Sequence, residues 1–158
     1  MHQMLMRGFL GSAAELLRTI DFATVIEIGC GPGDFASALF LNRLLFAGQY
    51  LGFDIGEAEI ESAKQRFSTL DFRSGSAYEI PVQDGAADLV VACEVIEHLE
   101  RPIVAIREMA RITQRWALIS VPREPIWRAL NMLRGKYLRN MGNTPGHVQH
   151  LVDVVSFD

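Results

Sequence analysis

Apolar residues along the chain recur with two alternating periods. Four short runs have the β-branched or largely apolar character of buried strands: residues 23–29, 50–55, 87–95 and 116–122. Residues 71–77 also predict a strand, although this run is less apolar. Four longer segments carry apolar residues at helical spacing: residues 3–19, 35–46, 57–67 and 102–112. Strand–helix alternation with continuously apolar strands predicts an α/β fold, with a parallel sheet covered by helices on both faces.

The last third of the chain gives a less regular pattern. Residues 125–140 predict a helix with Trp127 and Tyr137 on one side, and residues 142–147 predict a loop. Residues 148–158 fit either a helix or a sixth strand, and the pattern does not distinguish the two. Basic residues dominate the segment 123–140, which is consistent with a rim near a substrate entrance or with a solvated helix face.

Composition narrows the class of protein. The chain has 158 residues, 49% hydrophobic and 22% charged, which fits one globular domain over residues 1–158. Its net charge of −4 argues against a nucleic-acid partner held by electrostatics. Two cysteines do not make a disulfide framework, and we find neither a signal peptide nor an apolar run long enough for a membrane span. We therefore expect a cytoplasmic location.

A glycine-rich turn follows the first predicted strand. Gly29, Gly31 and Gly33 lie where a strand meets a helix, and missing side chains there allow positive φ and close approach of a ligand. The dinucleotide fingerprint requires its third glycine at residue 34, where this chain has Asp34. A carboxylate there would face a pyrophosphate, so the spacing argues against NAD or FAD.

Two acidic residues favour a different ligand. Asp54 ends the second strand and is suited to accept hydrogen bonds from both hydroxyls of a ribose. Glu27 lies inside an apolar strand, where a buried unpaired carboxylate is costly. Either a cationic group of a ligand or local backbone N–H groups would compensate it, and the sequence leaves both open.

At this point the chain resembles a known family. Its segment VIEIGCGPGDF, residues 25–35, resembles motif I of the class I S-adenosylmethionine-dependent methyltransferases, and residues 86–102, with EVIEHL, resemble their fourth-strand motif. The likeness runs from about residue 23 to residue 122. It implies a three-layer Rossmann-like fold with sheet order 3-2-1-4-5. It also implies S-adenosyl-L-methionine as cofactor, S-adenosyl-L-homocysteine as product, and methyl transfer as the activity.

The resemblance also implies the site. The expected cofactor-binding residues are Glu27, Gly29, Cys30, Gly31, Gly33, Asp54, Ile55, Ser76, Ala77 and Glu94. Ser76 stands where many relatives have an aspartate that binds the adenine amino group, which predicts a weaker contact at that point. His98 and His147 are the candidate catalytic bases, needed only if the acceptor must lose a proton.

The segment 94–98 has a second interpretation. Glu94, Glu97 and His98 would join His147 or His150 around a divalent metal, as in metal-dependent O-methyltransferases. The EHL sequence is also common in relatives without metal, and we predict no metal site here.

The resemblance leaves the end of the chain and the acceptor open. The family sheet continues to a sixth strand and an antiparallel seventh, so we expect a domain truncated at its C-terminus that lacks both. The open edge of the fifth strand would then be covered by residues 123–158 or by a second copy in a homodimer. The expected acceptor is a small molecule of unidentified structure. The alternative is a non-catalytic cofactor-binding module or partner subunit.

Overall fold

The computed structural model describes residues 2–41, 44, 49–122 and 150–156, and describes side chains over the parts of this range between residues 10 and 120. Its helices are α1 His2–Leu17, α2 Asp34–Leu41, α3 Glu57–Arg66 and α4 Pro102–Ile112. Its strands are β1 Val25–Ile28, β2 Tyr50–Asp54, β3 Asp71–Ser74, β4 Ala87–Cys93, β5 Thr113–Pro122 and β6 His150–Ser156. A short 3₁₀ helix, Ile96–His98, lies between β4 and α4.

The sheet has the predicted order. Its strands run β3-β2-β1-β4-β5-β6, and every pair from β3 to β5 is parallel. A parallel pair requires a crossover connection, which the helices between the strands provide. The predicted three-layer arrangement with order 3-2-1-4-5 is therefore confirmed. The order reverses between β1 and β4, which is where sheets of this kind bind ligands.

The sheet is one strand longer than we expected. Strand β6 pairs antiparallel with β5 along its length, from Trp116 opposite Ser156 to Pro122 opposite His150. An uncovered β5 would expose a row of unpaired N–H and C=O groups, and β6 satisfies them. Of the two alternatives for residues 148–158, the structure therefore has the strand. Because β6 pairs with this edge of β5, the edge is not open, and the homodimer that we expected to form through it is not supported.

The core lies on both faces of the sheet because the side chains of a strand alternate between them. On one face, Val25 packs in a cluster with Leu17 and Phe72; on the other, Ile26 and Ile28 pack in a second cluster. All four residues of β1 are buried. This explains why the central strand is continuously apolar except at Glu27, which shares the face of Val25.

Most predicted element bounds agree with the structure to within a few residues; the second helix is predicted over 35–46, and α2 ends at Leu41, beyond which residues 42–43 and 45–46 lie outside the described residues. Helix α4 spans the predicted range, whereas β5 begins three residues earlier than predicted, at Thr113 directly after α4. The helix predicted for residues 125–140 and the loop predicted for 142–147 lie outside the described residues. Among the helices that the structure describes, none is long and apolar enough to cross a membrane.

Candidate cofactor site

The glycine turn after β1 has the backbone that its sequence predicts. Gly29, Gly31 and Gly33 all have positive φ, at 69°, 50° and 85°. The N–H groups of Gly29 and Cys30 both donate to the carbonyl of Phe53 in β2, at 2.7 and 3.0 Å. These bonds fix the turn to the neighbouring strand, so it lies against the carboxyl end of β2.

Gly29 is required by space as well as by φ. A Cβ built on Gly29 would overlap the side chain of Val95, which follows β4. A Cβ on Gly31, by contrast, would meet no atom within 4 Å. Gly29 therefore lets β1 and the segment after β4 approach each other, whereas Gly31 faces open space.

Asp54 holds the turn through its carboxylate. One oxygen, Oδ2, accepts a hydrogen bond from the N–H of Gly31 at 2.8 Å, and Oδ1 accepts one from the N–H of Gly56 at 2.8 Å. A carboxylate has about four acceptor positions, so each oxygen of Asp54 retains capacity for one further donor. That capacity matches the two hydroxyls of a ribose.

Glu27 is buried, with 2% of its surface exposed. Its Oε2 accepts a hydrogen bond from the hydroxyl of Tyr50, itself buried at the start of β2. Burial raises the pKa of Glu27 to about 8, the hydrogen bond from Tyr50 opposes this rise, and the charges of Asp54 and Asp34 add to it. The partner that the structure gives Glu27 is thus a hydroxyl on the next strand, and not the local backbone N–H groups that the sequence left open.

A pocket of about 380 Å³ opens at the carboxyl ends of the strands. Its lining comes from the end of β1 and the turn, the end of β2, and the segments after β3 and β4: Ile28, Gly29, Asp54, Ile55, residues 75–78, Glu94, Val95, His98 and Leu99. Ligand pockets have about 300–1,000 Å³, so this volume is adequate for a small molecule. The pocket lies beside the point where the strand order reverses.

Glu94 enters this pocket on a strained backbone. It is the one non-glycine residue with positive φ in the described part of the chain, at 58°. Its Oε1 accepts a hydrogen bond from the hydroxyl of Ser120 at 2.8 Å, and its N–H donates to the carbonyl of Ser120 at 3.1 Å. A strained residue persists only where its surroundings hold it, and such residues cluster at functional sites.

The wall formed by residues 75–78 contacts Arg101, the residue directly before α4. The N–H of Tyr78 donates to Oγ of Ser76 at 3.3 Å, so part of the Ser76 hydroxyl is used in the local turn. The guanidinium of Arg101 lies 4.6 Å from the centre of the Tyr78 ring, a cation–π contact. Farther along this connection, Arg111 donates to the carbonyls of Ile80 and Val82, at 3.0 and 2.9 Å.

Of the histidines predicted as catalytic bases or metal ligands, the structure describes the side chain of His98 only. His98 borders the pocket with its side chain 77% exposed, and its Nε2 lies 3.9 Å from Oε1 of Glu97. His147 lies outside the described residues, and nothing is described of the His150 side chain. In the described portion of the chain, no group of three His, Cys, Asp or Glu residues could hold a metal ion.

The structure brings most predicted cofactor residues to one place. Those that line the pocket are Gly29, Asp54, Ile55, Ser76, Ala77 and Glu94. Glu27, Cys30, Gly31 and Gly33 do not line it: the three turn residues follow Gly29, and Glu27 lies below the turn in the core. Sequence reasoning missed Tyr50 and Ser120, the hydrogen-bond partners of two predicted acids. The spacing along the chain carries no signal for either, because both contacts depend on which strands are neighbours.

The residues present fit S-adenosylmethionine. Asp54 offers two acceptor positions toward the pocket, and Ile55 offers it an apolar side chain that is 80% exposed, suited to cover an adenine face. Asp54 places a carboxylate beside the glycine turn, and the buried carboxyl of Glu27 beneath the turn would ionise more readily next to a cation than next to an anion. Both groups therefore favour a cationic ligand over an anionic pyrophosphate.

Known proteins resemble this chain in sequence. A family model described as "Methyltransferase domain" matches residues 26–120. The chain is 32% identical over 100 residues to the probable S-adenosylmethionine-dependent methyltransferase of Mycolicibacterium smegmatis, covering 62% of this chain and 37% of that protein. It is 38% identical over 72 residues to the phthiotriol/phenolphthiotriol dimycocerosates methyltransferase of Mycobacterium tuberculosis, covering 44% of this chain and 26% of that protein.

The fold has solved counterparts. The crystal structure of a Pyrococcus horikoshii protein, PH0226, superposes with a TM-score of 0.66 at 19% identity, covering 85% of this chain and 63% of that one. At this identity the likeness shows the fold alone. The chain spans about a third of the length of the curated relatives it matches.

Proposed function

Because the chain belongs to the methyltransferase domain family, which matches residues 26–120, we propose that it binds S-adenosylmethionine and transfers the methyl group to a small-molecule acceptor. The family predicted from the sequence is thereby confirmed. The transfer itself, the acceptor and the roles of individual residues are our proposal.

One observation carries this proposal. Asp54 closes β2 beside the pocket with both carboxylate oxygens held by backbone N–H groups, so its orientation is fixed before a ligand arrives. A fixed acceptor loses little conformational entropy on binding a ribose. Two charge-assisted hydrogen bonds, at roughly 1.5–3 kcal/mol each, would make Asp54 the strongest polar anchor of the pocket.

The other predicted residues would contact different parts of the cofactor. Ile55 and Ala77 would cover the adenine, and Ser76 would offer it one hydrogen bond. Gly31 leaves open space for the amino-acid part, Cys30 and Gly33 would contact it through their backbone, and Glu27 provides a carboxyl group beneath the turn. Glu94 would bind near the sulfur, since it follows β4 at the other side of the reversal in strand order.

When bound, S-adenosylmethionine supplies a methyl group attached to a positively charged sulfur. The protein has to align a nucleophile with that carbon and exclude water, which is a proximity effect. His98 at the rim of the pocket would accept the proton of an acceptor hydroxyl or amine. The name of the Mycobacterium tuberculosis relative specifies phthiotriol compounds, which supports an acceptor that is neither protein nor nucleic acid.

The test is binding first and transfer second. Calorimetry of the full chain with S-adenosyl-L-homocysteine should show one site, and mass spectrometry of the purified protein should detect copurified cofactor. Incubation with S-adenosylmethionine carrying a labelled methyl group and a fractionated small-molecule extract should then label one fraction. The matched variant His98→Gln should bind S-adenosyl-L-homocysteine normally but label this fraction at least about tenfold more slowly.

Each stage has a result that contradicts the proposal. A protein that is folded by circular dichroism and binds neither compound lacks the proposed cofactor site. Binding without label in any fraction favours the non-catalytic module. A labelled fraction that disappears with EDTA and returns with magnesium would favour the metal-dependent alternative.

A further inference from the structure

The hydroxyl of Tyr50 reaches Glu27 through a slot in the core. Tyr50 and Gly52 are two residues apart on β2, so they lie on the same face of the sheet. Gly52 is directly opposite Glu27 in the β1–β2 register. A Cβ built on Gly52 would lie 2.9 Å from the Tyr50 hydroxyl and 2.8 Å from the Phe72 ring. The missing side chain at Gly52 therefore makes room for the tyrosine ring to extend along the strand toward the glycine turn.

Neighbouring side chains hold the ring in that slot. Tyr50 packs against Phe72 with ring centres 5.4 Å apart, and both residues belong to the core cluster under the turn. Cys30 of the turn is part of the same cluster, and its Cβ would lie 3.0 Å from a Cβ on Gly52. The hydroxyl is consequently delivered to Glu27 beneath the turn that the cofactor would contact.

The charges that act on Glu27 are acidic or neutral. In the described part of the chain, the titratable groups around it come from α2, β2, β4 and the turn: Asp34, Tyr50, Asp54, Cys93 and Cys30. None of these groups is a cation. A hydroxyl donor alone does not offset the burial of a full negative charge, so the carboxyl of Glu27 retains its proton at neutral pH.

We propose that Tyr50 is a positioning residue of the cofactor site, and that the ammonium group of the bound cofactor takes the place of a proton on Glu27. This inference rests on the proposed function. The exchange is balanced: Glu27 releases one proton to solvent as the ligand arrives, and the resulting carboxylate accepts hydrogen bonds from the ligand ammonium and from Tyr50. Binding of the cofactor is therefore coupled to proton release.

The coupling fixes the direction of the pH dependence. Only the ionised form of Glu27 pairs with the ligand ammonium, so affinity rises with pH until this group is ionised in the free protein. With the pKa of Glu27 at about 8, affinity increases about tenfold between pH 6 and pH 7. The hydrogen bond from Tyr50 favours the ionised carboxyl, so Tyr50→Phe moves the whole profile to higher pH.

The experiment is calorimetry of the full chain with S-adenosyl-L-homocysteine at pH 6, 7 and 8, in two buffers that differ in ionisation enthalpy. We expect about one proton released per ligand at pH 6.5, where the ligand ammonium itself stays protonated. Glu27→Gln should bind more weakly at pH 8 and release none. A matched ligand, 5′-methylthioadenosine, lacks the amino-acid part and should bind without proton release.

The outcomes separate the two proposals. No binding of S-adenosyl-L-homocysteine at pH 8 would refute the proposed function. Binding with no proton release, or an equal release by Glu27→Gln, would overturn only the present inference. A Tyr50→Phe variant that weakens binding equally at every pH would show a structural role without positioning. Should that variant not fold, the proton counts of the wild type and Glu27→Gln decide the question.

Discussion

The carboxylate of Asp54 accepts a hydrogen bond of 2.8 Å from the backbone N–H of Gly31, across the gap between two neighbouring strands. The side chain that we assign to the ribose thus also braces the glycine turn. Its second oxygen is held by the N–H of Gly56. Stability and cofactor binding are consequently linked at this one carboxylate, and a substitution at residue 54 affects both.

We predict that Asp54→Ala weakens cofactor binding by at least roughly 1.5 kcal/mol, about tenfold, because two hydroxyl partners are lost. It should also lower the free energy of unfolding by about 1–3 kcal/mol, because the N–H of Gly31 loses its acceptor. Calorimetry and urea unfolding measure the two effects. Asp71→Ala is the control, since Asp71 pairs with Arg73 on the exposed edge strand β3. Unchanged affinity in Asp54→Ala would contradict the assignment of the ribose.

Two glycines of the turn should respond differently to alanine. Both Gly29 and Gly31 have positive φ, which costs an alanine about 1–2 kcal/mol. Only at Gly29 would the new methyl group overlap Val95, adding about 1–3 kcal/mol. We therefore expect Gly29→Ala to be the more destabilising variant in chemical unfolding. In a Val95→Ala background the difference should shrink, and equal costs in the wild-type background would argue against the overlap.

Most element bounds could be predicted because each depends on local pattern, whereas the sheet order 3-2-1-4-5 was implied by the family resemblance. A strand buried on both faces favours apolar residues, and Val25–Ile28 is apolar at every position except Glu27. Helix α4 begins at Pro102, and proline fits a first helical turn. The turn and the carboxylate at Asp54 follow directly from strand ends. These features require only a few consecutive residues to be recognised.

The features that were missed depend on contacts between distant segments. Tyr50 meets Glu27 because β2 lies beside β1, and Ser120 meets Glu94 because β5 lies beside β4. Strand β6 was undecided because residues 148–158 satisfy either period. Pairing with the open edge of β5 decides in favour of a strand, and this tertiary effect overrides local propensity. To predict which side chains meet across a sheet, one must know which residues of neighbouring strands lie opposite each other. The local sequence pattern does not give this register.

The buried carboxyl of Glu27 should make the free protein less stable as pH rises. In the unfolded chain this carboxyl ionises near the ordinary glutamate pKa of 4.5, whereas in the folded protein burial raises its pKa to about 8. Its protonated form therefore contributes stability that is fully present below pH 4.5 and is lost as pH rises toward 8. Glu27→Gln does not titrate and keeps an oxygen that accepts from Tyr50.

We accordingly expect the melting temperature of Glu27→Gln, relative to the wild type, to increase between pH 5 and pH 8 when no ligand is present. Differential scanning calorimetry in the absence of cofactor measures this difference. The matched control is Glu61→Gln, an exposed carboxylate on α3 that bonds to Gln65 one turn later. A constant difference across this pH range would mean that Glu27 ionises alike in the folded and unfolded states.

At position 94 we expect a glycine variant to be more stable than an alanine variant, the reverse of the usual order. In most positions glycine is the less stable of the two, by about 0.5–1 kcal/mol. At Glu94, where φ is 58°, alanine keeps the strain and glycine removes it, so we expect Glu94→Gly to be more stable than Glu94→Ala by roughly 1 kcal/mol. Both variants lose the acceptor of Ser120.

The same pair of variants separates strain from chemistry at the pocket. If the carboxylate of Glu94 contacts the ligand, Glu94→Gly and Glu94→Ala should weaken S-adenosyl-L-homocysteine binding to a similar extent despite their different stabilities. Ser120→Ala leaves the carboxylate in place without its hydroxyl donor, so its affinity should lie between those variants and the wild type. Urea unfolding and calorimetry on the four proteins provide both readouts. If affinity instead follows stability across the series, Glu94 serves the backbone after β4 and has no direct contact with the ligand.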